Sequence, residues 1–282
     1  MSIIFRLISI IFVVTSFNRS YSQNISSLDS SNVQSIIIIG TYHPGNKNMT
    51  GDSLYTLIKK ISPDAILTEA ITYKMKIPFF VKIAISLGIA HHTIEYYAEK
   101  KISENGSYPT IYSYDINMNR SQYVKETSKK NKRMWRDINK FINSPKISVQ
   151  QKNIFIKYIS IDNFLRNYYT TKDLYAINRQ NIIDSSEKRM EILYNDILPI
   201  LKANTSVKKW ADYLESEKKF WDYRNIKMAE NIIAIIKSQV KNRRIIILSG
   251  FLHKYYLQKL LIPLQKENNF KLKDLKWLYD TE

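Results

Sequence analysis

Two short motifs of the same form lie near opposite ends of the sequence and contain two of its four histidines. Gly40-Thr41-Tyr42-His43 and Gly250-Phe251-Leu252-His253 each follow a run of apolar residues and precede a segment with helical spacing. Imidazole serves both as a metal ligand and as a general base near neutral pH. One Gly-x-x-His motif is common by chance, but the matched pair predicts that His43 and His253 are functional.

Two carboxylates follow apolar runs in the same way. Glu69 comes directly after Ala65–Thr68, and Asp115 ends the run Thr110–Tyr114. If these runs are parallel strands, their carboxyl ends meet at the edge of the sheet where ligand sites form. The alternatives are a structural ion pair for Glu69 and an N-cap role for Asp115, at a helix beginning near Met118.

Arg224 is the remaining candidate, at the edge of the apolar stripe of a predicted helix. A buried guanidinium needs an anionic partner. A substrate carboxylate, a transition-state charge or Glu69 would supply one, and the alternative is a surface pair with Glu217 or Asp222. The stripe of that helix, predicted over Glu217–Val240, consists of Trp221, Met228, Ile232, Ile235 and Ile236.

Two kinds of chemistry suit these residues. His43, His253 and Glu69 are a possible ligand set for a divalent Zn, Mn or Co ion. The same residues are also a possible general acid–base group without a metal. His91 and His92 form a competing pair, interpreted either as a site or as the surface of a helix start.

The sequence lacks the usual signals of several other enzyme classes. It has no Cys, which excludes disulfides, thiolate nucleophiles and Cys-ligated metal centres. It also has no His-Glu-x-x-His, Gly-x-Ser-x-Gly, P-loop or Gly-x-Gly-x-x-Gly motif. Zincin, serine hydrolase, nucleoside triphosphatase and dinucleotide-binding functions therefore have no support from a motif.

The elements that would position the candidates form an α/β pattern. Continuous apolar runs are typical of strands buried on both faces of a parallel sheet. We predict a central, mostly parallel sheet with a large helical insertion, about 118–216, between the third strand and the final core strand. The predicted strands are Ile36–Ile39, Ala65–Thr68, Thr110–Tyr114, Ile245–Leu248 and, at an edge, Leu275–Tyr279. The other predicted helices are Leu54–Ile61, capped by Asp52 or Ser53, Ile71–Lys101 with a break at Pro78, and Lys254–Ile262.

Residues 1–23 have the pattern of a secretory signal peptide. A short apolar segment after Arg6 ends in small and polar residues, and it is too short to span a bilayer comfortably. We therefore expect a periplasmic or secreted protein, with a single mature domain over 24–282 and no integral membrane span after cleavage. An uncleaved anchor or a buried helix is the alternative.

The formal charge of +18 is spread along the whole chain. Lys outnumbers Arg 32 to 11, whereas nucleic-acid binders cluster their basic residues and rely on Arg. This distribution predicts a solvated basic surface and no nucleic-acid partner. A basic face toward an anionic lipid or polymer is the other interpretation.

The ordered set of motifs resembles the TraB/GumN/Tiki superfamily, which includes erythromycin esterase-like and ChaN-like proteins. The resemblance is carried by the two Gly-x-x-His motifs, by Leu67-Thr68-Glu69 and by Arg224-Asn225-Ile226-Lys227-Met228-Ala229. It implies an α/β fold with one cleft site. Pro44-Gly45-Asn46 after the first histidine departs from the small apolar residues of some members.

The resemblance also implies a range of activities. Members of the superfamily include metal-dependent proteases, lactone-cleaving esterases and haem-binding proteins. We therefore expect a secreted, metal-dependent hydrolase of a peptide or small-molecule ester, acting through His43, Glu69, Arg224 and His253. The alternative is a non-catalytic haem- or peptide-binding envelope protein of the same fold.

Overall fold

Five parallel strands form the central sheet, in the order β3-β2-β4-β1-β5. The computed structural model describes residues 33–70, 93–106, 109–116, 120–238 and 244–278, all within one compact unit, Val33–Glu282. The strands are β1 (Gln34–Thr41), β2 (Ala65–Thr68), β3 (Thr110–Ser113), β4 (Arg244–Gly250) and β5 (Phe270–Lys273). The predicted α/β class with a parallel sheet is confirmed.

Helices make up most of the remaining described chain. They are α1 (Gly51–Ile61), α2 (Ile94–Glu104), α3 (Arg120–Ile142), α4 (Val149–Thr171), α5 (Leu174–Ile177), α6 (Gln180–Glu191), α7 (Leu198–Ala203), α8 (Lys208–Ser238) and α9 (Phe251–Leu261). A π-helical turn, Ile192–Ile197, joins α6 to α7. Among the helices of the described ranges, none combines the length and apolar character needed to cross a bilayer.

Several of the predicted boundaries differ from those observed. The segment Leu275–Leu278 is a 3₁₀ turn, and the edge strand is β5, which pairs with β1. The alternating Phe270-Lys271-Leu272-Lys273 pattern of β5 is typical of an edge strand and lacks the continuous apolar run of the central strands. Helix α8 begins at Lys208, so the predicted end of the insertion at residue 216 lies inside a helix.

Helix α1 begins earlier than predicted because Thr50, and not Asp52 or Ser53, is its N-cap. The Thr50 hydroxyl accepts from Ser53 N, and the Ser53 hydroxyl accepts from Thr50 N. This reciprocal capping box satisfies two backbone donors that the first turn otherwise leaves without partners.

The sheet buries both faces, which explains why its strands are apolar at consecutive positions. Ile37 and Ile39 of β1 pack in a core with α1 and α2. Ile36 and Ile38, which point to the opposite face, pack in a core with α8 and α9. A third core lies in the helical layer and includes residues of α3, α4, α7 and α8.

Candidate functional site

The candidate site lies at the carboxyl edge of the sheet, around the end of β4. Strand β4 pairs with β1 on one side and with β2 on the other. The register places Thr41 opposite Gly250 and Thr68 opposite Leu248. The segments that leave β1 and β2 therefore flank the point where β4 turns into α9.

Three predicted site residues surround Gly250. A Cβ atom at this position would lie 3.0 Å from His43 Nε2, 3.3 Å from Glu69 Oε1 and 3.6 Å from His253 Cδ2. Gly250 has φ −52°, a value open to every residue type. The need for glycine is therefore spatial: a side chain would intrude among the three functional groups.

His43 is held by a carboxylate on α2. Its Nδ1 lies 2.9 Å from Glu95 Oε1, which also accepts from the hydroxyl of Thr41. A carboxylate acceptor fixes the proton on Nδ1 and places the lone pair of the ring on Nε2, the atom nearest to Gly250. The His43 side chain is 44% exposed, so a substrate can reach it.

His253 is oriented by an amide on α8. Its Nδ1 lies 2.8 Å from Asn225 Oδ1, and the Asn225 amide nitrogen donates to the carbonyl of Trp221 at 2.7 Å. Because that donation assigns the amide orientation, His253 carries its proton on Nδ1 and its lone pair on Nε2. The Trp221 ring stacks on the imidazole, with centroids 4.2 Å apart.

The two histidines thus have the same tautomer but lie in different environments. His253 is buried, and this burial lowers its pKa to about 4, although the charge of Glu69 opposes the shift. His253 is therefore neutral at pH 7. His43 has direct access to solvent and a buried carboxylate behind it.

Glu69 is buried but stays ionised. Its Oε1 accepts from Gly250 N at 2.6 Å, and its Oε2 accepts from Arg224 Nη2 at 3.0 Å. Burial raises the pKa of Glu69, but the surrounding positive groups and the Gly250 N–H outweigh burial and bring the pKa to about 2. Among these groups His253 lowers the pKa of Glu69 most, because it is protonated in the acidic range where Glu69 titrates; His43, Arg224 and the Gly250 N–H follow.

Arg224 lies inward and connects two strand ends. Its Nε and Nη2 donate to Asp115 at 3.0 and 2.8 Å, in addition to the contact with Glu69. The alternative partners, Glu217 and Asp222, accept instead from the hydroxyls of Tyr123 and Tyr256. Asp115, which accepts two of these hydrogen bonds, is thus the main anchor of the guanidinium.

The arrangement does not form a complete metal-ligand set. Among the residues that the structure describes, no group of three or more His, Asp or Glu side chains is arranged to hold a metal ion. The oxygens of Glu69 face a backbone donor and a guanidinium, which compete with a cation for its lone pairs. Metal binding by His43, His253 and Glu69 stays a prediction.

Sequence reasoning missed the residues behind the histidines. The sequence places Glu95 four residues after His91 and Asn225 within the Arg224–Ala229 motif, and neither position by itself indicates a contact with His43 or His253. Two signals were available for these partners. Glu95 is buried one residue into α2, and Asn225 lies on the apolar face of α8. His91 and His92 themselves, like residues 1–23, lie outside the described residues.

Comparisons of this chain with family models, with curated proteins and with solved structures found no match.

Proposed function

We propose that the protein is a hydrolase that cleaves a peptide or ester bond at the sheet edge around Gly250. The observation that carries the proposal is the convergence of His43, Glu69 and His253 within 3.6 Å of one position. Two imidazole rings and an ionised carboxylate meet there beside a guanidinium. Such a set can bind and deprotonate a water molecule next to a carbonyl group.

His43 is the general base in this proposal. Its Nε2 takes a proton from water as the water oxygen forms a bond to the substrate carbonyl carbon. The imidazolium then returns the proton to the leaving oxygen or nitrogen as the carbon–heteroatom bond breaks. Glu95 supports the charged intermediate form of the ring, as the buried carboxylate does in catalytic triads.

Glu69 is poorly suited to be the base, because a carboxyl group with a pKa of about 2 has little affinity for a proton. In the proposed reaction it holds Arg224 and the Gly250 N–H at the sheet edge, and the two protons of the water face the two histidines. The neutral His253, buried against Trp221, supplies a second acceptor for the same water.

Two groups are placed to stabilise the developing oxyanion. Arg224 donates to Glu69 and Asp115 through Nε and Nη2, and its Nη1 donates to no described residue. Helix α9 begins at Phe251, and no side chain caps its first turn. Helix N-termini and guanidinium groups both favour negative charge.

The remaining expectations extend this proposal. A divalent metal, if bound, would sit on the histidines and lower the pKa of its water. Membership of the TraB/GumN/Tiki superfamily, the signal peptide and a periplasmic or secreted location are further parts of the hypothesis. A non-catalytic haem- or peptide-binding protein is the alternative.

The test is hydrolysis of peptide and ester libraries by purified protein whose metal content is measured. We expect turnover, with a loss of roughly 100-fold or more in Glu69→Gln and in Gly250→Ala. Glu230→Gln, an exposed carboxylate on α8, is the matched control and should retain activity. Turnover that survives both site variants would overturn the proposed site.

Metal binding is tested separately, by measuring the metal content of two histidine variants. Stoichiometric metal that disappears in both His43→Ala and His253→Ala would establish a metal site. Turnover in metal-free protein would instead establish the acid–base route. Tight binding of peptide or haem by folded protein without any turnover would favour the non-catalytic alternative.

A further inference from the structure

A large cavity that is open to solvent lies in the helical layer, apart from the sheet edge. It has a volume of about 890 Å³ and is lined by residues of α3, α4, α6, the π-helical turn and α8. None of His43, Glu69, Arg224 and His253 lines it. Small-molecule sites in proteins are typically about 300–1,000 Å³ in volume, so this cavity has the size of a ligand site.

Aromatic and apolar side chains form part of the cavity wall. Trp135 of α3 and Tyr158 of α4 stack with ring centroids 5.2 Å apart and an angle of 13° between their planes. Met134, Met190 and Leu193 add flexible and branched apolar surface. A planar apolar group fits such a wall because aromatic rings and Met side chains adapt to flat ligands.

The charged part of the lining is predominantly cationic. It includes Lys132, Arg136, Arg166 and Arg189, whereas Glu217 is the single carboxylate among the lining residues. In the described part of the chain, no carboxylate lies within ion-pair distance of Lys132. A ligand that enters the cavity therefore meets an excess of positive charge.

The nearby carboxylates are already engaged. Asp162 is shared by two guanidinium groups, with Arg189 Nε at 2.6 Å and Arg166 Nη2 at 2.9 Å. Glu217 Oε2 accepts from the hydroxyl of Tyr123 at 2.9 Å. One carboxylate between two arginines leaves unbalanced positive charge, and Arg is the residue best suited to planar carboxylates.

We propose that this cavity is a binding site for a small anionic molecule with a flat aromatic body, of the aryl carboxylate class. The aromatic body packs against Trp135 and the Met side chains, and the carboxylate faces the arginines. Arg136, Arg166 and Arg189 already contact carboxylates, but the lining keeps an excess of positive charge that a purely apolar ligand would not use. A simple inorganic anion would in turn leave the apolar wall in contact with water.

The site is separate from the proposed catalytic residues but shares a wall with them. Met190 and Tyr194 line the cavity and pack in one cluster with Trp221. Trp221 in turn stacks on His253. An occupant of the cavity would therefore lie two layers of side chains away from a histidine of the site, without contacting it.

The test is calorimetric titration with 1-naphthoate and with the uncharged 1-naphthalenemethanol, at low ionic strength. We expect one saturable naphthoate site and at least about 10-fold weaker binding of the alcohol, equivalent to about 1.4 kcal/mol. Added salt should weaken naphthoate binding only. The titrations use the full protein and its Glu69→Gln variant, so the result does not depend on the proposed hydrolysis.

Two arginines of the same helix give a matched pair of variants. Arg136 lines the cavity with its side chain 66% exposed, and Arg133 is exposed but does not line it. We expect Arg136→Gln to weaken naphthoate binding about 5- to 10-fold and Arg133→Gln to leave it unchanged. Equal effects of the two variants, equal binding of the two probes, or no saturable binding would overturn the proposal.

Discussion

At the scale of single residues, the site depends on partners that hold each imidazole through Nδ1. Glu95 does this for His43 from α2, and Asn225 does it for His253 from α8. Both rings therefore carry their lone pairs on Nε2, although one partner is charged and the other neutral. A difference of this kind separates a proton-accepting histidine from one that only accepts a hydrogen bond.

Replacement of Glu95 by Gln tests this division of roles. The amide keeps the size of the side chain but removes the negative charge that stabilises a protonated His43. We expect kcat to fall roughly 10- to 100-fold on any substrate found. Glu104→Gln, an exposed residue of the same helix, is the control. A kcat of Glu95→Gln equal to that of the control would contradict the assignment of His43 as base.

The lowered pKa of His253 predicts how the folding stability depends on pH in the acidic range. Its folded pKa is about 4, below the ordinary 6.5, so between these values only the unfolded chain takes up the proton. Stability should therefore decrease as the pH falls from 6.5 toward 4. The depressed pKa of Glu69, about 2 against 4.5, extends the loss as the pH falls further toward 2.

The measurement is urea unfolding at intervals between pH 7.5 and 5. We expect the free energy of unfolding of the wild type to fall across this range. In His253→Gln the fall should be shallower, whatever the stability of the variant at pH 7.5. Parallel curves for the two proteins would show that His253 is not buried in its neutral form.

At the scale of elements, the sequence correctly predicts the strands that consist of continuous apolar runs. The three central strands β1, β2 and β4 and the two histidine turns were predictable because a strand buried on both faces is apolar at consecutive positions. The edge strand β5 was not, because its lysines interrupt that pattern. The partners Glu95 and Asn225 were missed because which helix face meets a strand end is decided by packing between distant segments.

A buried lysine joins three elements beside the site. Lys254 of α9 donates to Asn178 Oδ1 at 2.8 Å, and the same oxygen accepts from Gly40 N at 2.7 Å. The Asn178 amide nitrogen donates to the Gly40 carbonyl. Burial lowers the pKa of Lys254 to about 7. The end of β1 is thus fixed to α9 through one side-chain amide.

Lys254 predicts a gain of stability in mild alkali. Between pH 7 and its ordinary pKa of 10.5, the unfolded chain holds a proton that the folded protein has largely released. The free energy of unfolding should therefore rise from pH 7 to about 9. Lys254→Met, which keeps the length of the side chain, should remove the rise in urea titrations. An unchanged slope in the variant would contradict the buried neutral amine.

The central strand and the helical layer should differ in their response to truncation. Ile246 of β4 is fully buried, whereas Ile156 of α4 is 49% exposed. We expect Ile246→Ala to cost about 2–5 kcal/mol of unfolding free energy and Ile156→Ala less than about 0.5 kcal/mol. Chemical unfolding of the two variants measures this. Comparable losses would place Ile156 in a contact that the monomer does not provide.

At the scale of the whole molecule, the sheet is assembled from segments far apart in sequence. Strand β4 lies between β1 and β2 in space, although it follows both by more than a hundred residues. Arg224 similarly joins α8 to the ends of β2 and β3. The class of fold was predictable from local patterns, but the order of the strands depends on which distant segments pair.

The position of β4 also determines how late in chain synthesis the sheet can be completed. Until residues 244–250 have been made, β1 and β2 have no strand between them, and their isoleucine-rich edges have no native partner on that side. Exposed strand edges of this kind promote association with other chains. The growing chain therefore has to be kept from aggregating until almost all of it exists, and the candidate site forms in the same late step.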